Sequence, residues 1–231
     1  MRKKETVISL FLVIVISFIS STSLHSGKVI DRVLAQVNDE QISLTEFEKV
    51  SGPLVEEYKK KMPNATDEQI KEFKESILSE MVNNKLIVQE AKKRKIVVTP
   101  RQIEEQEKKI KSQFSSESEF KKQLEQEGMT YKKFKDRIKE QLMAEELTYM
   151  EVTSKISQEP TKAEIKRLLD LLEKKLNNET LKDVTEQEEQ SIEQLSELIK
   201  RYFVNKKQQE KYNEWVKKLR DKSKVIINPI E

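Results

Sequence analysis

The side chains that most often carry out chemistry are nearly missing from this 231-residue chain. It has no cysteine, and its one histidine is His25. A Ser-His-Asp triad, a Cys-His pair and a His/Cys zinc site all need residues that do not occur after that position. Gly27, Gly52 and Gly128 stand isolated, so neither a P-loop nor a GxGxxG turn can form to cradle a phosphate. Carboxylates abound, 41 Asp and Glu against 44 Lys and Arg, and a pair of them could in principle serve as general acid and base. They alternate with cations along helical faces, however, which is the pattern of solvated ion pairs. Composition therefore points to no enzyme, no metal and no cofactor. A net charge of +3 is not the basic excess of a nucleic-acid binder, and nothing indicates a small-molecule substrate.

What the chain can offer is apolar side chains on helices. Prolines 53, 63, 100, 160 and 229 and the glycines fall between periodic segments. Capping boxes at Ser43–Glu46, Thr66–Gln69, Thr99–Gln102, Ser116–Glu119 and Thr161–Glu164 mark helix starts. A first helix is expected over Leu44–Met62, interrupted at Gly52-Pro53. A long one follows over Asp67–Lys95, with Ile70, Phe73, Ile77, Met81 and Leu86 along one face. Ile96-Val97-Val98 is an apolar connector. A third helix opens at Pro100 and carries Ile103, Ile110 and Phe114. Glu117–Glu127 is a short helix stopped by Gly128. Thr130 caps a long helix in which Tyr131, Phe134, Ile138 and Leu142 recur.

Beyond Pro160 an amphipathic helix is expected over Thr161–Leu176, then a polar linker or weak helix over Asn177–Gln190. A last helix carries Ile192 through Trp215 and Leu219, and Lys224–Asn228 reads as a strand. At the other end VIDRVLAQVNDEQIS (Val29–Ser43) reads as a strand turning at Asn38-Asp39. These are the two clear strand candidates, so they are expected to pair and clasp the chain ends together. The Asn64-Ala65-Thr66 and Asn178-Glu179-Thr180 sequons have a structural reading as Asn and Thr near helix starts. No fixed-period repeat and no sustained heptad is present.

Residues 1–26 form a separate object. Arg2, Lys3 and Lys4 precede the apolar run Val7–Ile19, and small residues follow. This is the layout of a secretory signal peptide cleaved after Ser23 or Ser26; the rival reading is an uncleaved membrane anchor. Export would permit disulfides, yet the fold must be held by its apolar core alone.

In their order and spacing these pieces resemble the N-terminal chaperone domain of the SurA/PrsA/PpiD-like family. VIDRVLAQVNDEQISLTEFEK is similar to that domain's opening strand, Asn-containing turn, second short strand and capped helix. Leu78–Gln106 resembles its long helix, connector and next helix start, and Gly128–Leu147 the helix after that. Gln208–Asn228 resembles the closing helix and strand. In the family one or more parvulin prolyl isomerase domains sit before that closing helix. Here the interval lacks a parvulin's Gly-rich, strand-bearing pattern, and its active-site histidines cannot exist in a chain whose sole histidine is His25.

The resemblance implies a mainly α fold with a small β clasp between the chain ends. The expected domains are a leader (1–26), a helical chaperone unit (27–157), a connector replacing the parvulin (158–190) and a closing helix and strand (191–231). It also implies a periplasmic, ATP-independent chaperone for unfolded or nascent exported polypeptides, outer-membrane proteins among them, without isomerase activity. Phe73, Ile77, Met81, Phe134, Ile138 and Met143 are the candidates to line a client groove, because Met and aromatic side chains adapt to varied peptides. The same spacing also describes ordinary helix core. A membrane-anchored adaptor docking a dedicated partner is the alternative function.

Overall fold

The expected capping residues begin the helices of the computed structural model, which describes residues 31–156, 161, 163 and 186–230, with side chains in the last helix from residue 200. Strands β1 (Val33–Val37) and β2 (Glu40–Ser43) lead into α1 (Leu44–Lys61), α2 (Asp67–Lys93), α3 (Pro100–Lys111), α4 (Glu117–Gln126) and α5 (Tyr131–Glu151). A 3-10 turn at Thr153–Lys155, the long helix α6 (Glu186–Asp221) and strand β3 (Val225–Ile227) complete the described elements. The leader, Val29, the helix expected over Thr161–Leu176 (apart from Thr161 and Ala163) with Glu164 of its capping box, residues 177–185 of the polar stretch and the side chains of Ile192–Ile199 lie outside the described residues.

At Thr66 and Thr99 the capping box is reciprocal. Each hydroxyl accepts from the amide three residues on, and each Gln side-chain oxygen accepts from the cap amide at 2.9 Å. Thr66 of the first sequon is thus a helix cap. Ser43 and Ser116 accept from the Glu46 and Glu119 amides at 3.2 and 3.1 Å, but the Glu119 carboxylate accepts from the Ser115 N–H instead of its own cap. The Thr130 hydroxyl accepts from the Lys133 amide at 3.2 Å.

Two expectations are corrected. The helix over Leu44–Met62 is not interrupted at Gly52-Pro53, because α1 runs continuously with Pro53 inside it. The residue before a proline is pushed out of the helical region by clashes of the proline ring with its backbone N–H and its Cβ. Gly52 has no Cβ, and the buried Val50, Ser51 and Val55 anchor the helix on both sides of the proline. Phe114 lies beyond the end of α3, in a turn whose amide donates to the Lys111 carbonyl at 3.1 Å.

Helix α4 ends as Gly128 predicts. Gly128 has φ +61°, its N–H donates to Glu125 O at 3.0 Å, and the Met129 N–H donates to Leu124 O at 2.8 Å. Those are the two bonds of a Schellman cap. Helix α2 ends the same way without a glycine. Lys95 takes φ 56°, its N–H donates to Lys92 O, and the Ile96 N–H donates to Ala91 O.

The sheet has the order β2-β1-β3, antiparallel throughout. Residues Ala35, Gln36 and Val37 pair with Ile227, Ile226 and Val225. The chain ends are therefore clasped by strand pairing, as expected. Helices α1 and α2 pack on this sheet and on each other. Leu34, Ala35, Val37, Ile42, Phe47, Val82 and Ile87 are all at most 2% exposed there, the continuous apolar core that a chain without disulfides requires. A second cluster joins α3, α4 and α5 through Ile110, Phe120, Leu124, Phe134 and Ile138, with Ile103, Phe114, Met129 and Leu142 packed around it. Its rings meet edge to face, Phe120 on Phe134 at 5.1 Å and on Phe114 at 5.4 Å.

The chain divides into two compact units, one within Met1–Leu147 with Lys218–Glu231 and the other within Thr148–Lys217. Among the described residues no helix is long and apolar enough to cross a membrane.

Candidate interaction surface

Titratable groups gather most closely between α3 and α5. Glu107 accepts from the Tyr131 hydroxyl and forms ion pairs with Lys111 at 2.8 Å and Lys135 at 3.6 Å. Burial pushes the Glu107 carboxyl up, but the hydrogen bonds from Lys111 and Tyr131, with the charges of Lys111 and Lys135, outweigh it and hold the carboxyl below the usual range. The two ammonium groups also lie over the Tyr131 ring, 5.2 and 5.4 Å from its centre. A carboxylate held ionised with both oxygens engaged is a poor proton acceptor. The arrangement is a brace over the aromatic cluster, not an acid–base centre. Among the described residues no group of three His, Cys, Asp or Glu is placed to hold a metal ion.

The six apolar candidates fall into two environments. On α2, Ile77 is buried, while Phe73 and Met81 are partly exposed. The Phe73 ring stacks on Tyr58 of α1 at 4.5 Å and 15°. On α5, Phe134 and Ile138 sit inside the α3–α5 cluster and Met143 is also buried. None of the three α2 residues belongs to that cluster. The described contact between α2 and α5 is polar, an ion pair from Lys92 to Glu140 at 2.6 Å. Of the six, Phe73 and Met81, both on α2, are the two that are partly exposed.

Other large apolar side chains are more exposed. In the first unit these are Met62, Val97, Tyr131, Ile226 and Ile227; in the second they are Tyr149, Met150 and Tyr202. Tyr202 is 53% exposed and its ring meets Phe203 at 5.8 Å. Sequence periodicity places Tyr131 on an apolar stripe, Val97 in a connector and Ile226 and Ile227 in a strand, but it does not say which of these side chains meets solvent. Trp215 of the second unit is buried, and its indole N–H has no hydrogen-bond partner among the described residues.

A polar network ties the clasp to α2. Asn38, at φ 54°, accepts from the Lys224 amide at 2.9 Å and donates to Gln89 at 2.7 Å. Gln89 donates in turn to Val37 O and to Glu40, and Lys85 pairs with Glu40 at 3.5 Å. At the end of α6, Arg220 donates to Asn83 at 2.8 Å and to the Ser79 hydroxyl at 2.8 Å. Asn228 and Pro229 close the far side, bonded to Val33 O and to the Arg32 guanidinium.

Compared with known protein families, residues 1–148 match the SurA-like N-terminal domain. The chain belongs to that family. The SurA-like region thus covers the hairpin, α1 to α4 and nearly all of α5, while β3 reaches its sheet from outside the matched span. Two similar proteins are both described as foldase protein PrsA. The one from Caldanaerobacter subterraneus subsp. tengcongensis is 38% identical over 128 residues, 50% of this chain and 40% of that protein. The one from Clostridium acetobutylicum is 31% identical over 119 residues, 47% of this chain and 36% of that protein. The alignments to these PrsA proteins thus span less than half of their length.

Proposed function

We propose that this SurA-like chain is an exported, ATP-independent chaperone that holds unfolded polypeptides without isomerising their prolines. The observation that carries the reading is a family fold for chain handling with large flexible or aromatic side chains left in solvent, chiefly Met62, Tyr149, Met150 and Tyr202. Such side chains bind varied sequences weakly, which suits capture and release without fuel. Within the first unit Phe73 and Met81 of α2 are also partly exposed; Ile77, Phe134, Ile138 and Met143 become available to a client only where their cores open. The absence of isomerase activity rests on composition, since no histidine follows His25. The layout of residues 1–26 supports export, and with it the reading of a periplasmic chaperone whose clients are exported polypeptides, outer-membrane proteins among them.

The test is light scattering of a urea-denatured outer-membrane protein diluted into buffer with the purified chain. Suppression at a few-fold excess is expected, weakened by Tyr202→Ser combined with Met150→Ser. Unchanged aggregation at large excess would sink the reading. A proline-peptide isomerisation assay should show the uncatalysed rate.

A further inference from the structure

The two edges of the sheet differ. β2 is Glu40-Gln41-Ile42-Ser43, and the Glu40 carboxylate is held by Lys85 and Gln89. Its register with β1 is broken by an irregularity between Val33 and Ala35. Charge and irregular register are the usual guards of a strand edge. β3 carries no charge within the strand and no break in register: it is Val225-Ile226-Ile227, with Ile226 and Ile227 both 44% exposed, and no described strand lies beyond it.

Its free hydrogen-bonding groups can be assigned. The Asn38 amide donates to Lys224 O at 2.8 Å and the Asn228 amide donates to Leu34 O at 2.8 Å. Bonded pairs in an antiparallel ladder alternate, so Ile226 faces Gln36 while the amides and carbonyls of Val225 and Ile227 face away from β1. The edge offers two donors and two acceptors at the spacing of an extended chain. Exposed Lys222 and Lys224 precede it.

We propose that β3 captures an extended, β-branched segment of an unfolded client by strand addition, preferring segments flanked by Asp or Glu. This deepens the chaperone reading and rests on it. The occupant follows from the edge itself. Main-chain groups recognise any extended backbone, the adjacent exposed Ile226 and Ile227 offer one apolar side chain on each face of the strand, and the two lysines attract carboxylates. A second copy of the chain fits less well. Three residues are far short of the roughly 20 to 30 per side that a stable interface takes, whereas weak short pairing suits transient capture.

The test uses the full chain and a fluorescent eight-residue peptide of alternating Val and Thr with acidic flanks, read by anisotropy. Binding is expected to weaken about fivefold in Ile227→Pro, which removes one outward N–H and no bond to β1, the loss of roughly one net hydrogen bond. Should that variant melt early, the same peptide N-methylated at alternate residues supplies the control in the wild-type chain. Basic flanks should weaken binding, and added salt should narrow the difference between acidic and basic flanks. With p-benzoylphenylalanine replacing Ile227, crosslinks should map to the peptide. Crosslinks to residues 1–30 or to a second copy, or equal affinity for methylated and unmethylated peptide, would overturn the proposal. The two readings fail separately. Aggregation suppression that survives intact in a folded Ile227→Pro chain, with unchanged peptide affinity, rejects the edge and leaves the chaperone standing. No suppression by the wild type rejects the chaperone reading instead.

Discussion

The β clasp and the α3–α5 cluster are two ways of holding one unit together. The clasp joins residues far apart in the chain, Asn38 to Lys224 across 186 positions and Arg32 to Pro229 across 197. It does so mainly with backbone ladders and polar side chains. The cluster draws on residues 103–142 alone and is held by aliphatic and aromatic packing. Local contacts close short loops at little entropic cost, whereas the clasp must close nearly the whole chain before any of its bonds forms. The clasp is therefore the part that reports on the integrity of the whole chain, and the cluster the part that can persist when the ends separate.

Deleting 222–231 tests that contrast with the largest effect. It removes β3, the buried Ile230 and the bonds to Arg32, Leu34 and Asn38. A loss of about 5 kcal/mol is expected from the burial and hydrogen bonds together, comparable with the whole stability of a domain. In hydrogen exchange, amides of β1, β2 and α2 should lose protection first, while those of α3–α5 keep most of theirs. A deletion chain that melts like the wild type would show that the clasp holds nothing.

Phe134→Ala breaks the comparison from the other side. Phe134 is 6% exposed and touches Phe120 at ring distance 5.1 Å. Truncating a buried phenylalanine costs about 3 to 5 kcal/mol, because the cavity left cannot fully collapse. Here the exchange pattern should invert, with α3–α5 loosened and the β1–β3 amides still slow. Uniform acceleration would mean that the two regions unfold as one cooperative block.

Within the clasp, Asn38 carries an outsized share. It is the hairpin residue at positive φ, and its amide side chain bridges β3 and α2. Asn38→Ala is expected to cost about 2 kcal/mol, from two lost hydrogen bonds and from Ala's poorer tolerance than Asn's of the left-handed region. Asn38→Gly separates those terms, since it relieves the backbone but still loses both bonds. Equal urea midpoints for Ala and Gly would show that the bridge matters and the turn geometry does not.

Much of this was legible because it is local. Thr66, Thr99, Ser116 and Thr130 act as caps through bonds spanning three residues, and Gly128 takes the conformation that its type favours. The pairing of the chain ends was legible because Val29–Val37 and Lys224–Asn228 are the two clear strand candidates, whereas Ile96-Val97-Val98 is a short connector between two helix signals. Other features depend on partners remote in sequence. Pro53 stays in α1 because Gly52 relieves it and tertiary packing anchors both flanks. Asn38 reads as a turn residue, but its bonds to Gln89 and Lys224 could not be foreseen from spacing. Periodicity marks Phe73, Ile77 and Phe134 alike as apolar. Only the packing of α1 on α2, and of α3 and α4 on α5, decides which of them meets solvent.

A smaller effect separates two carboxylates of the α3–α5 region by pH. In the cluster, Glu107 is held below its usual range, so its fold-stabilising share is present above the unfolded value of about 4.3 and fades as pH falls through the folded value. Glu145, further along α5, has the opposite sign. Burial raises its carboxyl, with Gln141 and Lys109 only partly offsetting it. Its favourable share is present below about pH 4.3 and is lost as pH rises through its folded value. Denaturation curves should therefore show Glu107→Gln destabilising at neutral pH and flattening the acid limb, and Glu145→Gln stabilising at neutral pH. The same sign for both at neutral pH would contradict this account.

The smallest effect concerns two helix ends of the same design and different sequence. Gly128 and Lys95 both occupy the left-handed position of a Schellman cap, at φ 61° and 56°. Only glycine does so without crowding its own Cβ, so Lys95→Gly should stabilise by up to about 1 kcal/mol and Gly128→Ala should destabilise by a similar amount. Added open space does not alter the second expectation, because a Cβ at Gly128 meets nothing within 4 Å and the cost is purely conformational. Lys95 closes the helix that packs on the sheet, whereas Gly128 closes the helix within the cluster. The Lys95 change should therefore slow exchange in α2 and the Gly128 change should speed it in α4. If Lys95→Gly proves destabilising, the exposed Lys95 side chain must contribute at that turn more than its backbone strain costs.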